Sequence, residues 1–232
     1  GVTLVQTNVP QNEKFVPQFL PETLEWLQKT MAAAPGPLVL APETAIPLLP
    51  EQLGDDGWQR FAEPFRDGQR AALVGLPLGD YDAGYTNSVA GISRDAPQPF
   101  YRYDKQHLVP FGEFIPDGFR WFTDMMNIPL GNFARGPRVP PSFAFAGQRI
   151  GPNICYEDLF GEELARRFGD AASAPTILAN ISNMGWFGDT IALAQHLNIS
   201  RMRSLELQRP TVRATNTGAT AAIDHRGVVT AQ

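Results

Sequence analysis

The chain has 232 residues, 43% of them hydrophobic, and a formal net charge of −5 at pH 7. It is long enough to bury a core as one large α/β domain, while the acidic balance leaves no electrostatic footprint for nucleic acid and no basic run suited to anionic lipid. No stretch approaches the roughly 18–20 consecutive apolar residues that cross a bilayer, no signal segment opens the chain, and one cysteine cannot form an internal disulfide.

Val2 to Val9 is rich in β-branched residues and predicts a strand. After Pro10 and Pro17 a helix is expected to about Ala34, with Leu20, Leu24, Leu27 and Met31 on one face, ended by Pro35-Gly-Pro37. Leu38 to Ala41 reads as a short strand, and Pro42-Glu43-Thr44 delivers a carboxylate to its C-terminal end, where open α/β sheets collect functional groups. A helix over 57–70 precedes strands at 71–78, 85–92 and around 99–103. Lys105 lies just past the last of these. From Phe111 to Phe133, apolar residues fall among prolines and glycines in a long loop, the kind that serves as a lid or binding segment.

A hairpin over 142–154, turning near Gly147, then leads to the only cysteine, Cys155. Beyond Glu157 the spacing of Leu159, Phe160, Leu164 and Phe168 predicts a helix, so Cys155 is expected at a strand-to-helix turn. There a helix N-terminus would expose the thiol and lower its pKa; the plainer alternative is a small buried hydrophobe. A strand at 176–182, a helix at 190–208 carrying Leu193, Leu197, Met202 and Leu205, and strands at 211–215 and 220–224 complete the chain. Interleaved strands and helices without repeats predict one layered α/β domain.

Glu43, Lys105 and Cys155 thus stand at three separate strand ends. Together they suit acyl transfer through a thioester: a carboxylate to take the thiol proton, a thiol to attack a carbonyl, and an ammonium, with a backbone N–H near Tyr156, to stabilise the oxyanion. A carboxylate alone would hinder thiolate formation, so the lysine makes the pair workable. Glu113 is placed to orient the ammonium or the thiol. Singly, each of these residues is equally readable as a surface or capping charge, and His107, His196 and His225 show no metal-ligand spacing.

Four blocks carry a resemblance: Pro42-Glu43-Thr-Ala-Ile-Pro47, Asp104-Lys105 through Glu113-Phe-Ile-Pro116, Ile154-Cys155-Tyr-Glu157 and Ser182-Asn-Met-Gly-Trp-Phe-Gly188. They resemble the signature blocks of the nitrilase (carbon-nitrogen hydrolase) superfamily. The stretch His107 to Pro116 and the segment Arg201 to Gly218 resemble its apolipoprotein N-acyltransferase branch. Where many members have Asp-Ala before Trp-Phe-Gly, this chain has Met184-Gly185.

The resemblance implies a four-layer αββα sandwich with a catalytic triad of Glu43, Lys105 and Cys155, supported by Glu113, Tyr156 and Glu157, and no metal or cofactor. It implies that an acyl chain passes from a phospholipid to Cys155 and on to the α-amine of a diacylglyceryl-modified lipoprotein, at the periplasmic face of a bacterial inner membrane. The partners implied are that acyl donor, that acceptor and the membrane surface. Family members carry this domain between membrane-spanning helices, so residues 1–232 are expected to be a catalytic domain excised from a longer membrane protein. Phe111, Phe114, Trp121, Phe122, Met125 and Met126 fit an apolar lid or lipid-contact surface, or alternatively satellite core. Two further readings are a soluble amidohydrolase, in which water resolves the thioester, and a binding domain without catalysis.

Overall fold

A computed structural model describes residues 1–80, 82–110, 112–114 and 133–232, the side chain of Trp186 excepted. Its strands form two sheets. The first has the order β1 (Val2–Leu4), β2 (Leu38–Leu40), β3 (Ala71–Asp80), β4 (Gly84–Ile92), β5 (Tyr101–Asp104). β1, β2 and β3 are parallel, and β3, β4 and β5 form an antiparallel meander. The second sheet runs β11 (Val229–Ala231), β10 (Ala221–Ile223), β9 (Thr211–Thr215), β8 (Ile177–Ser182), β7 (Gln148–Ile154), β6 (Phe143–Phe145), with β7, β8 and β9 parallel at its centre.

Strand alternation sorts the side chains into layers. On β2 and β3, Val39, Ala41, Ala72 and Val74 face helices α1 (Leu20–Ala33) and α2 (Gly57–Ala62), packing on Leu27, Met31, Trp58 and Phe61. Leu38, Leu40 and Leu73 point the other way, into a second core shared with Ile150, Ile154, Ala179, Ile181, Val212 and Ala214 of the opposite sheet. The outer face of the second sheet is covered by α3 (Gly161–Ala165) and α4 (Ile191–Leu207). The fold is therefore the expected αββα sandwich.

Several elements are shorter than their sequence patterns. β1 stops at Leu4; Val5 still donates to Leu40 O, but Asn8 has a φ of 49°, which ends the strand. α2 ends at Ala62 and passes into a 3₁₀ turn containing Pro64, which has no N–H to continue the helix. The continuous helix expected past the thiol is instead a 3₁₀ turn, Cys155–Leu159, followed by α3 and a second 3₁₀ turn, Arg166–Phe168. On α4 the apolar Met202 and Leu205 face outward, while His196, Ser200 and Ser204 are the buried residues. Among the described residues no helix is long and apolar enough to cross a membrane.

Gly91 on β4 lies under both Phe143 of the second sheet and Tyr101 of its own, and an added Cβ would lie 2.8 Å from each. These rings already pack on one another at 5.3 Å between centroids. Gly91→Ala is expected to separate them and lower unfolding stability by about 1–3 kcal/mol, read as an earlier urea midpoint with an unchanged slope.

Candidate active site

Glu43, Lys105 and Cys155 are delivered as their positions in the chain predict, each just beyond a strand: β2, β5 and β7. The first sheet supplies the carboxylate and the ammonium, the second the thiol. All three are buried, with Lys105 only 1% exposed.

Lys105 is the hub. Its Nζ lies 2.9 Å from Glu113 Oε2 and 3.6 Å from Glu43 Oε1. Burial alone would pull the ammonium down, but the two carboxylates outweigh it and hold its pKa above the ordinary lysine value. Lys105 is therefore a cation at any pH near neutral.

Glu43 is fixed at both oxygens. Asn87 Nδ2, on β4, donates to Oε1 at 2.8 Å, and the backbone N–H of Asn183, just past β8, donates to Oε2 at 2.8 Å. The same Asn87 amide donates to Glu113 Oε1 at 2.7 Å, so one side chain spaces both carboxylates around the ammonium. Glu113 Oε2 also accepts from Val109 N at 2.7 Å. Gly75 on β3 admits the Glu43 main chain: a Cβ there would stand 2.4 Å from Pro42 O and 2.7 Å from Glu43 Cα.

Cys155 ends β7 with a φ of 48°, and Thr44, directly after Glu43, has a φ of 50°. Both are left-handed conformations that cost a β-carbon residue on the order of 1 kcal/mol or more, and they persist where the surroundings over-determine them. The expected lowering of the thiol pKa is not found. Burial pushes the Cys155 thiol up to about 12, the Glu43 carboxylate adds to the rise, and Lys105 opposes it. A five-residue 3₁₀ turn brings too little aligned backbone dipole to offset this desolvation. At rest the nucleophile candidate is a neutral thiol.

The supporting residues divide. Glu113 belongs to the ion cluster. Glu157 is buried and ties the two sheets together: Oε2 accepts from Ile154 N at 2.7 Å and from the Tyr103 hydroxyl, and Oε1 accepts from Gln106 N at 2.7 Å and His107 N at 3.1 Å. It thereby clamps the Cys155 turn to the loop carrying Lys105. The Tyr156 ring joins an aromatic group, 5.2 Å from Phe160 and 5.6 Å from His107 between centroids. Of the lid residues, Phe114 is half-buried beneath the Arg135 guanidinium at 4.8 Å, whereas Phe111, Trp121, Phe122, Met125 and Met126 lie outside the described residues. Met184 of the variant Met184-Gly185 pair is buried in the inter-sheet core.

Sequence reasoning missed Asn87 and assigned no role to Asn183. Asn87 sits within an ordinary β4 strand pattern, and nothing but three-dimensional placement marks it. Asn183 lies inside a motif block, which was the one signal available.

An αββα sandwich with carboxylate, ammonium and thiol gathered at the strand ends defines a class of layered α/β proteins with a single buried cysteine at its candidate centre. The carbon-nitrogen hydrolase family profile matches residues 2–232, and the chain belongs to that family. Among curated relatives, proteins named apolipoprotein N-acyltransferase from Verminephrobacter eiseniae and Ralstonia nicotianae are 58% and 49% identical over all of this chain. The chain spans 44% of the length of each. Solved structures agree in fold. A carbon-nitrogen hydrolase superfamily protein from Xanthomonas campestris, with an arsenic adduct in its active site, has a TM-score of 0.69 at 18% identity, covering 99% of this chain and 84% of that one. A mutant amidase from Nesterenkonia sp. AN1, with acrylamide added at its active-site cysteine, has a TM-score of 0.65 at 17% identity, covering 98% and 86%.

Asn87→Leu is expected to leave both carboxylates without their shared donor. Hydrogen bonds to charged groups contribute about 1.5–3 kcal/mol, so a reaction at Cys155 that draws on Glu43 as base should slow roughly ten- to a hundredfold, measured as the rate of covalent adduct formation on the thiol, with the chain still folded.

Proposed function

We propose that this chain is a catalytic unit moving a fatty acyl group from a phospholipid, through a thioester on Cys155, to the α-amine of a diacylglyceryl-modified N-terminal cysteine of a lipoprotein. The observation that carries this reading is the gathering of Glu43, Lys105 and Cys155 in a chain 58% identical to a protein named apolipoprotein N-acyltransferase. The name of the relatives supports transfer of an acyl group to nitrogen of an apolipoprotein; the phospholipid donor and the setting at the periplasmic face of an inner membrane are part of the proposal. Exposed apolar side chains support a lipid-facing mouth: Phe15 and Phe187 are about half exposed, on two segments joined by the Asn183 to Gln11 hydrogen bond.

Because the thiol is neutral at rest, its proton leaves during attack. Glu43 takes it as Sγ bonds to the ester carbonyl carbon, and the carbonyl oxygen becomes an oxyanion beside the Lys105 ammonium. The C–O bond then breaks, and Glu43 returns the proton to the departing lysophospholipid oxygen. In the second half the acceptor nitrogen bonds to the thioester carbon and gives its proton to Glu43. The C–S bond breaks, and the thiol is restored when that proton returns to sulfur. Glu113 and Asn87 keep Lys105 and Glu43 in place throughout. Glu157 holds the turn that presents the thiol, and the backbone N–H of Tyr156 is the second oxyanion donor.

Intact-protein mass spectrometry after incubation with phospholipid in detergent is expected to show a gain of one fatty acyl group, removable by hydroxylamine and absent in Cys155→Ser. Release of ammonia from small amides with no such adduct would instead identify a soluble amidohydrolase and sink this proposal.

A further inference from the structure

Lys14 is a buried ammonium that the reaction as described does not use. It is 5% exposed, and its Nζ donates to the main-chain oxygen of Glu43 at 3.0 Å. Its position is firmly built. The backbone N–H groups of Glu13 and Lys14 both donate to Pro10 O; Asn183 Nδ2 donates to Gln11 Oε1 at 3.0 Å; and Val9 exchanges hydrogen bonds with the Asn216 side chain, donating to Oδ1 and accepting from Nδ2, each at 2.9 Å. The 9–14 segment is thus pinned to the ends of β8 and β9, against the residue that also fixes Glu43 Oε2.

Burying an ammonium against a single neutral carbonyl is strongly unfavourable, so a nearby negative charge must offset it. The charges around Cys155 show which one. Asp158 is paired with Arg213, and Glu157 is held by the Tyr103 hydroxyl and three backbone N–H groups. Lys105 is shared between Glu43 and Glu113 and lies nearer Glu113. His196, packed behind the thiol, stays neutral, its pKa lowered to about 3 by burial and by Arg213. Glu43 is the carboxylate left partly uncompensated, and ionising Cys155 beside it would add a further negative charge. Burial brings the Lys14 pKa down to about 8, while Glu43, whose main chain it touches, and to a smaller extent Cys155 favour its charged form.

We propose that Lys14 is a positioning residue of the reaction: its ammonium fixes the main chain at Glu43 and supplies the second positive charge that stabilises negative charge arising at Cys155. This rests on the reading of Cys155 as the nucleophile.

Alkylation of Cys155 by iodoacetamide in the intact chain, followed by mass spectrometry from about pH 6.5 to 10, tests the role without any acyl donor. Below its pKa a thiol reacts through its thiolate fraction, which rises tenfold per pH unit. In wild type the rise should flatten as Lys14 loses its proton near pH 8. Lys14→Gln, which keeps a donor for Glu43 O but not the charge, should react about tenfold more slowly at pH 7, and the gap should close by about pH 10. Lys14→Arg should keep the faster rate with no flattening. A wild-type line rising tenfold per unit straight through pH 8–9 overturns the proposal without need of any variant. So does a Lys14→Gln line that coincides with wild type at pH 7 or stays parallel to it at high pH. Full acyl transfer by Cys155→Ser would instead remove the nucleophile reading, a separate failure.

Discussion

The ammonium of Lys105, enclosed between Glu113 and Glu43, is the constraint on which the arrangement of the site depends. A charge at 1% exposure persists only when its partners are held at close range, because breaking a buried pair leaves an ion that neither water nor protein satisfies. The end of β2, the end of β5 and the loop after residue 108 must therefore come together. Asn87 sits at their centre with one amide spacing two carboxylates that would otherwise repel. The charged groups of the cluster belong to the first sheet and its loops, and the second sheet adds the Asn183 N–H that fixes Glu43 Oε2.

The second sheet brings the nucleophile; besides the Asn183 N–H on Glu43, the two halves are joined by Glu157. Its carboxylate accepts from residues on both sides of the seam, so the Cys155 turn cannot drift from the Lys105 loop without exposing a buried charge. The thiol sits at a strained φ in a dry environment and remains protonated. In the proposed reaction this division suits a covalent catalyst that must not react indiscriminately: the ammonium is charged in advance, and the thiol stays protonated until Glu43 takes its proton during attack.

Most of the layered fold was legible because the strands are short apolar or β-branched runs and the helices are bounded by proline or glycine; that β2 and β3 sort their side chains between two cores is visible only in the assembled sheets. The three chemical residues were legible as lone reactive side chains directly after strands. What stayed hidden depends on packing between distant segments. Asn87 looks like any polar strand residue, and Lys14 like any charge in a proline-rich loop. The turn after Cys155 carries a helical spacing, yet Glu157 bonds back to Ile154 N and across to Gln106 N, and the chain takes a 3₁₀ turn instead. The low thiol pKa inferred from that helix failed for the same reason, since burial is a property of the assembled sandwich and not of the local pattern.

The layer beneath α4 shows how far polar contacts can replace an apolar core. On β7, β8 and β9 the residues facing this helix are Asn153, Asn180 and Arg213, and the helix answers with His196, Ser200 and Ser204. Arg213 donates to Asn180 Oδ1 and to Ser200 Oγ, each at 2.8 Å, and lies 3.4 Å from Asp158 Oδ2; Ser200 donates to the same Asp158 oxygen at 2.6 Å. Burial raises the Asp158 carboxyl to about 6 despite Arg213, while the neutral His196 ring accepts a hydrogen bond from the guanidinium at Nδ1 and so adds no third charge. Asn180 reaches the carbonyl of Cys155 itself at 3.4 Å, and Asp158 closes the turn three residues on. An apolar stripe on α4 would have packed against this sheet without engaging that turn. The polar layer grips its backbone from behind, which accounts both for the outward-facing Met202 and Leu205 and for a cysteine held in a conformation its own β-carbon disfavours.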